Sequence, residues 1–293
     1  MTPVDPRRRP DGVRPATVST WRDGQARVQA DWLAEEVPVA LVFNGLSHAV
    51  MMATPADLED FALGFSLTEG LLLGTQELYG VEVQSVANGM ELRLEVSAAA
   101  FHRLKERRRT LAGRTGCGLC GTDSLAQVRQ PLPTAPPVRV TPAAIARAQR
   151  TLLSGQDVQQ LTGATHAAAW CTLGGEAVLV REDIGRHNAL DKLIGAMHRA
   201  RLPAAEGFFC ITSRASFEMV QKAVIAGAGV LAAVSAPTAL AVEVAREANL
   251  ALAGFVRGDD LVAYTYPDRF GLPCEADLAP DDSVVERAWT STT

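Results

Sequence analysis

Phe208-Phe-Cys-Ile-Thr-Ser-Arg-Ala-Ser-Phe-Glu-Met-Val-Gln-Lys-Ala-Val-Ile-Ala226 is the stretch that decides the fold class. An apolar strand, Phe208 to Thr212, runs through a polar junction into a helix, Ser216 to Ala226. Downstream the unit repeats: strand Val230 to Val234, then helix Thr238 to Asn249. Two strands, Leu252 to Val256 and Leu261 to Tyr266, close the series around Gly258-Asp259. Upstream lie a helix, Asn188 to Arg199, and strands at His166 to Cys171 and Ala177 to Val180 that turn at Gly174-Gly175. This alternation predicts an α/β layer built on a mixed sheet. Ala223 to Val242 carries no charge over a length near that of a membrane span, but Ser235-Ala236-Pro237-Thr238 interrupts it. It reads as a helix end, a core strand and the start of another helix.

The first half has a different rhythm. Residues 1 to about 30 are rich in Pro, Arg and Asp and read as a disordered tail. Two apolar runs between Val37 and Thr54 flank Asn44-Gly45, a hairpin signal, and Val81 to Val96 alternates about Asn88-Gly89 in the same way. Thr54-Pro55 reads as a cap and first-turn proline for a helix carrying Leu58, Phe61, Ala62 and Phe65 on one face, with Gly70 near its end. Ala98 to Leu111 is a helix ending in basic residues, and Thr141-Pro142 opens another. Four prolines between Pro131 and Pro137 mark a boundary. The expected organisation is a tail (1–30), an α+β subdomain (31–130), a Pro-rich linker (131–137), an α/β domain (138–272) and a C-terminal tail (273–293).

At 293 residues and 47% hydrophobic, the chain can bury a sizeable core. A net charge of −5 argues against a general nucleic-acid binder. The N-terminus carries Arg, Pro and Asp where a secretory signal needs an apolar core. A cytoplasmic, non-membrane protein is expected. Paired cysteines are then expected to serve chemistry rather than a structural disulfide.

Such a pair stands in Gly116-Cys-Gly-Leu-Cys-Gly121. Glycines flank and separate Cys117 and Cys120, unlike Cys171 and Cys210, which sit in apolar runs. Arg114, the basic run Arg107 to Arg109, and the capping signal Thr122-Asp123-Ser124 would all favour thiolate. No His here is followed two residues later by Glu, so a zinc-deaminase signature is missing. Spacing alone leaves a zinc site, thiol redox chemistry and sulfur relay open.

Three polar junctions fall at strand-to-helix transitions, where α/β sheets bind anions. They are Arg181 to Asn188, leading into Asp191 and Lys192, then Thr212 to Ser216, then Ser235 to Thr238. Each has a plain structural reading beside the functional one. Ser213, Ser216 and Thr238 suit helix caps, and Asp183 to Lys192 suits an ion-pair network.

Taken in order, Gly113-Arg-Thr-Gly-Cys-Gly-Leu-Cys-Gly121, Arg181-Glu-Asp-Ile-Gly-Arg-His-Asn-Ala-Leu-Asp-Lys192 and Thr212-Ser-Arg-Ala-Ser-Phe-Glu-Met-Val-Gln-Lys222 closely resemble the formate dehydrogenase accessory protein family, FdhD. Ser235-Ala-Pro-Thr-Ala-Leu-Ala-Val-Glu243 and Gly254-Phe-Val-Arg-Gly258 continue the match, which spans roughly Val37 to Phe270. The resemblance implies a sulfur carrier, or sulfurtransferase, for molybdenum enzymes. A cysteine desulfurase would load Cys117 as a persulfide, with Cys120 as auxiliary. The acceptor would be molybdenum bis(molybdopterin guanine dinucleotide), delivered sulfurated to apo-formate dehydrogenase. It also implies a cytidine deaminase-like core with a smaller α+β subdomain, and a homodimer. Phe255, Val256, Arg257, Gly258, Asp259 and Asp260 align with a cofactor-binding stretch of the family. Ser213, Arg214 and Ser216 are expected to hold phosphate, and Asp183, Arg186 and His187 to shape the pocket floor. No resident metal or cofactor is expected. The alternative is a non-catalytic chaperone that binds the same molybdenum cofactor.

Overall fold

The computed structural model describes residues 10–111 and 131–274. Two sheets carry the bulk of it. In the first, β3 (Val37–Phe43) and β4 (Leu46–Ala53) form the Asn44-Gly45 hairpin, and β5 (Leu78–Val86) and β6 (Gly89–Val96) form the second. β3 pairs in parallel with β6, giving the order β4-β3-β6-β5. One face of this sheet meets α1 (Leu58–Thr68) and α2 (Ala98–Leu111) around Leu41, Phe43, Phe61, Leu92 and Leu94.

The second sheet has the order β12-β11-β10-β9-β7-β8. Its strands are β7 (His166–Thr172), β8 (Ala177–Asp183), β9 (Gly207–Ile211), β10 (Val230–Ala233), β11 (Ala251–Arg257) and β12 (Asp260–Ala263). β9, β10 and β11 are parallel, while β7, β8 and β12 are added antiparallel to their neighbours. The mixed α/β layer expected from sequence is therefore present. Its parallel centre is covered on both faces, which explains the unbroken apolar runs. Phe209, Ile211, Leu231 and Leu252 face α5 (Arg186–Ala200), α6 (Phe217–Ile225) and α7 (Ala239–Glu247). Phe208, Cys210, Val230 and Ala251 face Ile145 and Leu152 of α3 (Pro142–Ser154). Thr141 caps α3, accepting from Ala144 N–H at 3.2 Å. A short helix, α4 (Asp157–Thr162), follows.

The two sheets are joined through α1 and α5 at very close range. A Cβ at Gly64 would strike the Asp191 carbonyl, and one at Gly195 the Asp60 carbonyl. Glycine is needed at both positions because backbone lies where a side chain would start. The proline-rich 131–137 segment lies against the core. Ala135 is buried, its N–H donates to Ala248 O at 2.8 Å, and its carbonyl accepts from Asn249 Nδ2 at 2.8 Å.

Two expectations need correction. Residues within the expected tail form an antiparallel hairpin of β1 (Val13–Arg22) and β2 (Gln25–Ala34). Asp23 and Gly24 both have positive φ, 52° and 74°, the geometry of a tight two-residue turn. Thr54 does not cap α1; that place falls to Asp57, in the left-handed region at φ 52°. The Thr54 hydroxyl instead accepts from Ile184 N–H at 3.2 Å, drawn into the seam between the sheets. Ala223 to Val242 divides, as read, into the end of α6, β10, a junction and the start of α7. No helix among the described residues is long and apolar enough to cross a membrane.

Candidate functional site

β8, β9, β10 and β11 run in one direction, so their C-terminal ends gather along one edge of the six-stranded sheet. α5, α6 and α7 start at that edge, directly after β8, β9 and β10. The polar junctions extend the ladder past the strand ends. Val234 N–H donates to Ile211 O at 3.0 Å, Thr238 N–H to Ala215 O at 3.1 Å, and Phe255 N–H to Ser235 O at 3.3 Å. Thr212 to Ser216, Ser235 to Thr238 and Phe255 to Arg257 consequently lie side by side. The sequence separates them by about twenty residues each; the parallel strands bring them together.

Arg186 is the first residue of α5, and Ser216 stands at the N-cap of α6. Arg186 Nε and Ser216 Oγ are buried without a hydrogen-bond partner among the described residues. Buried polar atoms are nearly always paired, and two orphans at adjacent helix N-termini match the requirements of an anion. Ser216 therefore occupies a cap position without making the cap bond. Thr238 does make it, accepting from Ala241 N–H at 3.3 Å, so for Thr238 the structural reading holds. Ser213 is buried, and its hydroxyl donates to Arg214 O at 3.0 Å, while the Arg214 side chain is exposed.

His187 Nε2 lies 2.8 Å from Glu218 Oε2 in the first turn of α6. That close contact, helped by the charges of His187, Arg186 and Lys222, holds the Glu218 carboxyl below its usual range against the opposing effect of burial. His166 opens β7 directly opposite Asp183. Burial first, and then the charges of Arg186 and His187, push its imidazole below the ordinary histidine range. Sequence reasoning gave no role to Glu218 or His166. Glu218 lies inside a quoted motif but signals nothing without its partner on α5. His166 is seen only once β7 is known to lie between β8 and β9.

The remaining polar residues of the Arg181–Lys192 segment point inward. Asp183 and Lys192 are fully buried and 2.7 Å apart. Asp183 also accepts from Thr54 N–H at 3.0 Å, Gly185 N–H at 2.8 Å and Asn188 Nδ2 at 3.0 Å. It fixes the turn that presents Arg186 and His187 and does not itself reach the surface. Asp191 meets Lys222 at 3.0 Å and accepts from the Thr68 hydroxyl at 2.7 Å. Arg181 and Arg199 both pair with Asp60 of α1, at 2.8 and 2.9 Å. The ion-pair reading of this segment is thus realised: it welds α1 and β4 to the α/β layer.

The stretch Phe255 to Asp260 divides. Phe255 has φ 51° and is half-exposed, with the Arg257 guanidinium 5.7 Å from its ring. The Val256 side chain is buried in the core. Gly258 N–H donates to Gln149 Oε1 at 3.2 Å, and Asp259 pairs with Arg150 at 3.1 Å, so the turn is tied to α3. Asp260 opens β12 and is exposed. A groove of about 390 Å³ lies at the opposite edge, lined by Ile194, Met197, His198, Leu202 and Ala226. Cys117 and Cys120 lie outside the described residues. Cys171 and Cys210 are buried, and burial pushes the Cys210 thiol up to about 12 and Cys171 higher still, so neither supplies thiolate. Among the described residues no group of three or more His, Cys, Asp or Glu is set to hold a metal ion.

Comparison with known proteins decides the family. The model of the FdhD/NarQ family matches residues 34–271. The chain belongs to the FdhD/NarQ family. It is 60% identical over 270 residues to the sulfur carrier protein FdhD of Variovorax paradoxus, covering 92% of this chain and 97% of that one. To FdhD of Cupriavidus necator it is 56% identical over 263 residues, covering 89% and 91%. A crystal structure of a putative formate dehydrogenase accessory protein from Desulfotalea psychrophila superposes with a TM-score of 0.68 at 20% identity, over 88% of this chain and 98% of that one. At that identity the likeness concerns the fold. The family match begins at residue 34, leaving nearly all of the β1–β2 hairpin outside it.

Proposed function

We propose that this chain is a sulfur carrier for formate dehydrogenase, taking persulfide sulfur from a cysteine desulfurase and passing it to molybdenum bis(molybdopterin guanine dinucleotide). Family membership together with high identity to proteins named sulfur carrier supports the carrier role. The single structural observation that carries the acceptor half is the orphaned pair Arg186 Nε and Ser216 Oγ at neighbouring helix N-termini. Two guanine nucleotide diphosphates are anions of the kind such a site takes.

In this reading the Cys117 thiolate attacks the outer sulfur of the donor's persulfide. The donor's S–S bond breaks, its own thiolate leaves, and Cys117 keeps the terminal sulfur. Cys120, three residues on, is the auxiliary thiol. Arg186, Ser216 and the exposed Arg214 bind phosphate, with Ser213 holding the Arg214 backbone. His187, fixed by Glu218, and Asp183, fixing the turn beneath, shape the floor. Phe255 and Arg257 border the acceptor, while Val256, Gly258, Asp259 and Asp260 support that border from the core and from α3. The α/β layer is the deaminase-like core of this proposal, with the 31–130 segment as its smaller unit. The protein acts in the cytoplasm as a homodimer.

Guanosine diphosphate titration tests the acceptor site. Wild type binds; Arg186→Ala and Ser216→Ala bind at least tenfold more weakly; Cys117→Ala binds like wild type. Equal affinity in all four would remove the nucleotide site from this edge. A Cys117→Ala protein that still yields active formate dehydrogenase would favour a chaperone that carries no sulfur.

A further inference from the structure

β7 enters the six-stranded sheet antiparallel, between β8 and β9. Its first residue, His166, therefore stands at the edge where β8 and β9 end and where α5 and α6 begin. Asp183 is its partner on β8. On the other side Thr212 N–H donates to Ala167 O at 3.0 Å, one residue before Ser213. Alternation fixes the face. Ala168 and Trp170 pack in the core with Leu190 of α5 and Met219 of α6, whereas Ala167, Ala169 and Cys171 turn toward α3. His166 shares the face of Ala168 and Trp170, the one that carries both helix starts. It is half-buried there.

The charges around it do not balance. α5 contributes two basic residues, Arg186 and His187, at its first turn. α6 answers with one carboxylate, Glu218, already 2.8 Å from His187 Nε2. Asp183 faces His166 from β8 but is matched by Lys192 at 2.7 Å. Lys222 of α6 is matched by Asp191 at 3.0 Å and Glu69 at 2.9 Å. β9 and the junction after it bring hydroxyls and the exposed Arg214, and no carboxylate. Arg186, His187 and His166 thus have Glu218 alone between them. Arg186 Nε and Ser216 Oγ are moreover buried without a partner among the described residues, so what this edge lacks is negative charge.

Burial, and then the charges of Arg186 and His187, press His166 toward its neutral form. An anion seated on Arg186 cancels the second of these causes. We propose that His166 is the third basic member of the acceptor site, and that a diphosphate seated on Arg186 and Ser216 binds with uptake of a solvent proton at His166. The inference rests on the acceptor reading given above and adds to it a residue and a proton.

Linkage sets the sign. The bound anion raises the imidazole's affinity for a proton, so acid favours the complex. Affinity is highest below the ordinary histidine range, falls as pH rises through it, and levels off above it, where His166 is neutral with or without ligand. Glu218 is held below its usual range, stays ionised throughout this window and adds no slope. His198 lies at the far end of α5, in the wall of the opposite groove. His187 is the other imidazole at this edge, and its own variant separates the two.

The test is calorimetric titration of the full chain with GDP-mannose, a diphosphate ester whose phosphates stay fully ionised from weakly acid to weakly alkaline pH. Wild-type affinity should fall about tenfold between about pH 5.5 and about pH 7.5, with a binding heat near the acid end that varies with the buffer's ionisation enthalpy. His166→Gln should bind with one affinity across that range, close to the wild-type value at its alkaline end. His187→Gln should bind more weakly and keep the slope. A wild-type affinity independent of pH, a slope that survives in His166→Gln, or a slope lost only in His187→Gln would overturn the proposal and leave the acceptor site standing. No binding at any pH would remove the acceptor site and this inference with it. Nuclear magnetic resonance of the wild-type imidazole C–H groups serves should His166→Gln fail to fold. The His166 signal should titrate at higher pH with GDP-mannose than without it, and an unmoved titration would overturn the proposal.

Discussion

Replacing Lys192 by methionine tests the seam on which the candidate site rests. Lys192 Nζ lies 2.7 Å from Asp183 Oδ2, 3.0 Å from Thr54 O and 3.4 Å from Glu182 O, with both charged side chains fully buried. Methionine fills most of the volume but removes the positive charge and all three donated bonds. Asp183 keeps three donors, from Thr54, Gly185 and Asn188, which soften the loss without replacing a cation. Removing one partner of a buried pair destabilises by about 3–5 kcal/mol, because a desolvated charge is stranded. Against a total stability of about 5–15 kcal/mol that is a large share. For a protein of this size it lowers Tm by roughly 6–20 °C. Urea denaturation followed by tryptophan fluorescence, with calorimetry, reads both quantities. Adding Asp183→Asn removes the stranded charge, so the double variant should recover at least about 1 kcal/mol of the loss. A single-variant loss under about 1 kcal/mol, the range of an exposed pair, would refute the reasoning. A double variant no more stable than the single would refute the stranded-charge explanation.

Other expectations follow from the same geometry. Gly195→Ala drives a methyl into the Asp60 backbone, and separating α1 from α5 should destabilise by about 1–3 kcal/mol or more, read as a lower urea midpoint with an unchanged slope. His166 has a lowered pKa in the folded state, so the unfolded chain binds more protons just below the ordinary histidine value of 6.5. Stability should therefore fall as pH drops through that window, and the difference between wild type and His166→Gln should shrink correspondingly between pH 7.5 and 5.5; a pH-independent difference would count against it. Glu218 has a lowered pKa, so its contribution is present above about 4.5 and lost as pH falls through the lower folded value. Glu218→Gln should accordingly flatten the acid limb of the unfolding curve below pH 4.5.

Much of the second half was legible in the sequence because fully buried parallel strands leave unbroken apolar runs between polar junctions. Phe208 to Ile211 needs no alternation, since α6 covers one side and α3 the other. Asn44-Gly45 marked its hairpin, and both residues take positive φ. Asp23-Gly24 carries the same turn chemistry, but the Arg- and Pro-rich residues around it masked the alternation of β1 and β2. Thr54 misled for a different reason. A Thr-Pro pair before an apolar helix is a local cap signal, whereas the partners that claim this threonine, Asp183, Ile184 and Lys192, lie about 130 residues away.

The site was legible in outline. Its helix N-termini follow from strand-to-helix junctions, but which side chains face out does not. Asp183 and Arg186 are three residues apart in one motif; one is sealed against Lys192, the other has a buried Nε with no hydrogen-bond partner among the described residues. Val256 and Phe255 are neighbours on one bulged strand, and only the left-handed turn at Phe255 separates core from surface. These assignments are decided by contacts between distant segments, which composition and spacing do not encode.

The central claim is that Cys117 carries sulfur, and intact-mass spectrometry after incubation with a cysteine desulfurase and cysteine tests it most directly. Wild type and Cys120→Ala should each gain one sulfur mass that reductant removes, and Cys117→Ala should gain none. A wild-type chain that acquires no sulfur, or a Cys117→Ala chain that acquires it unchanged, would contradict the account.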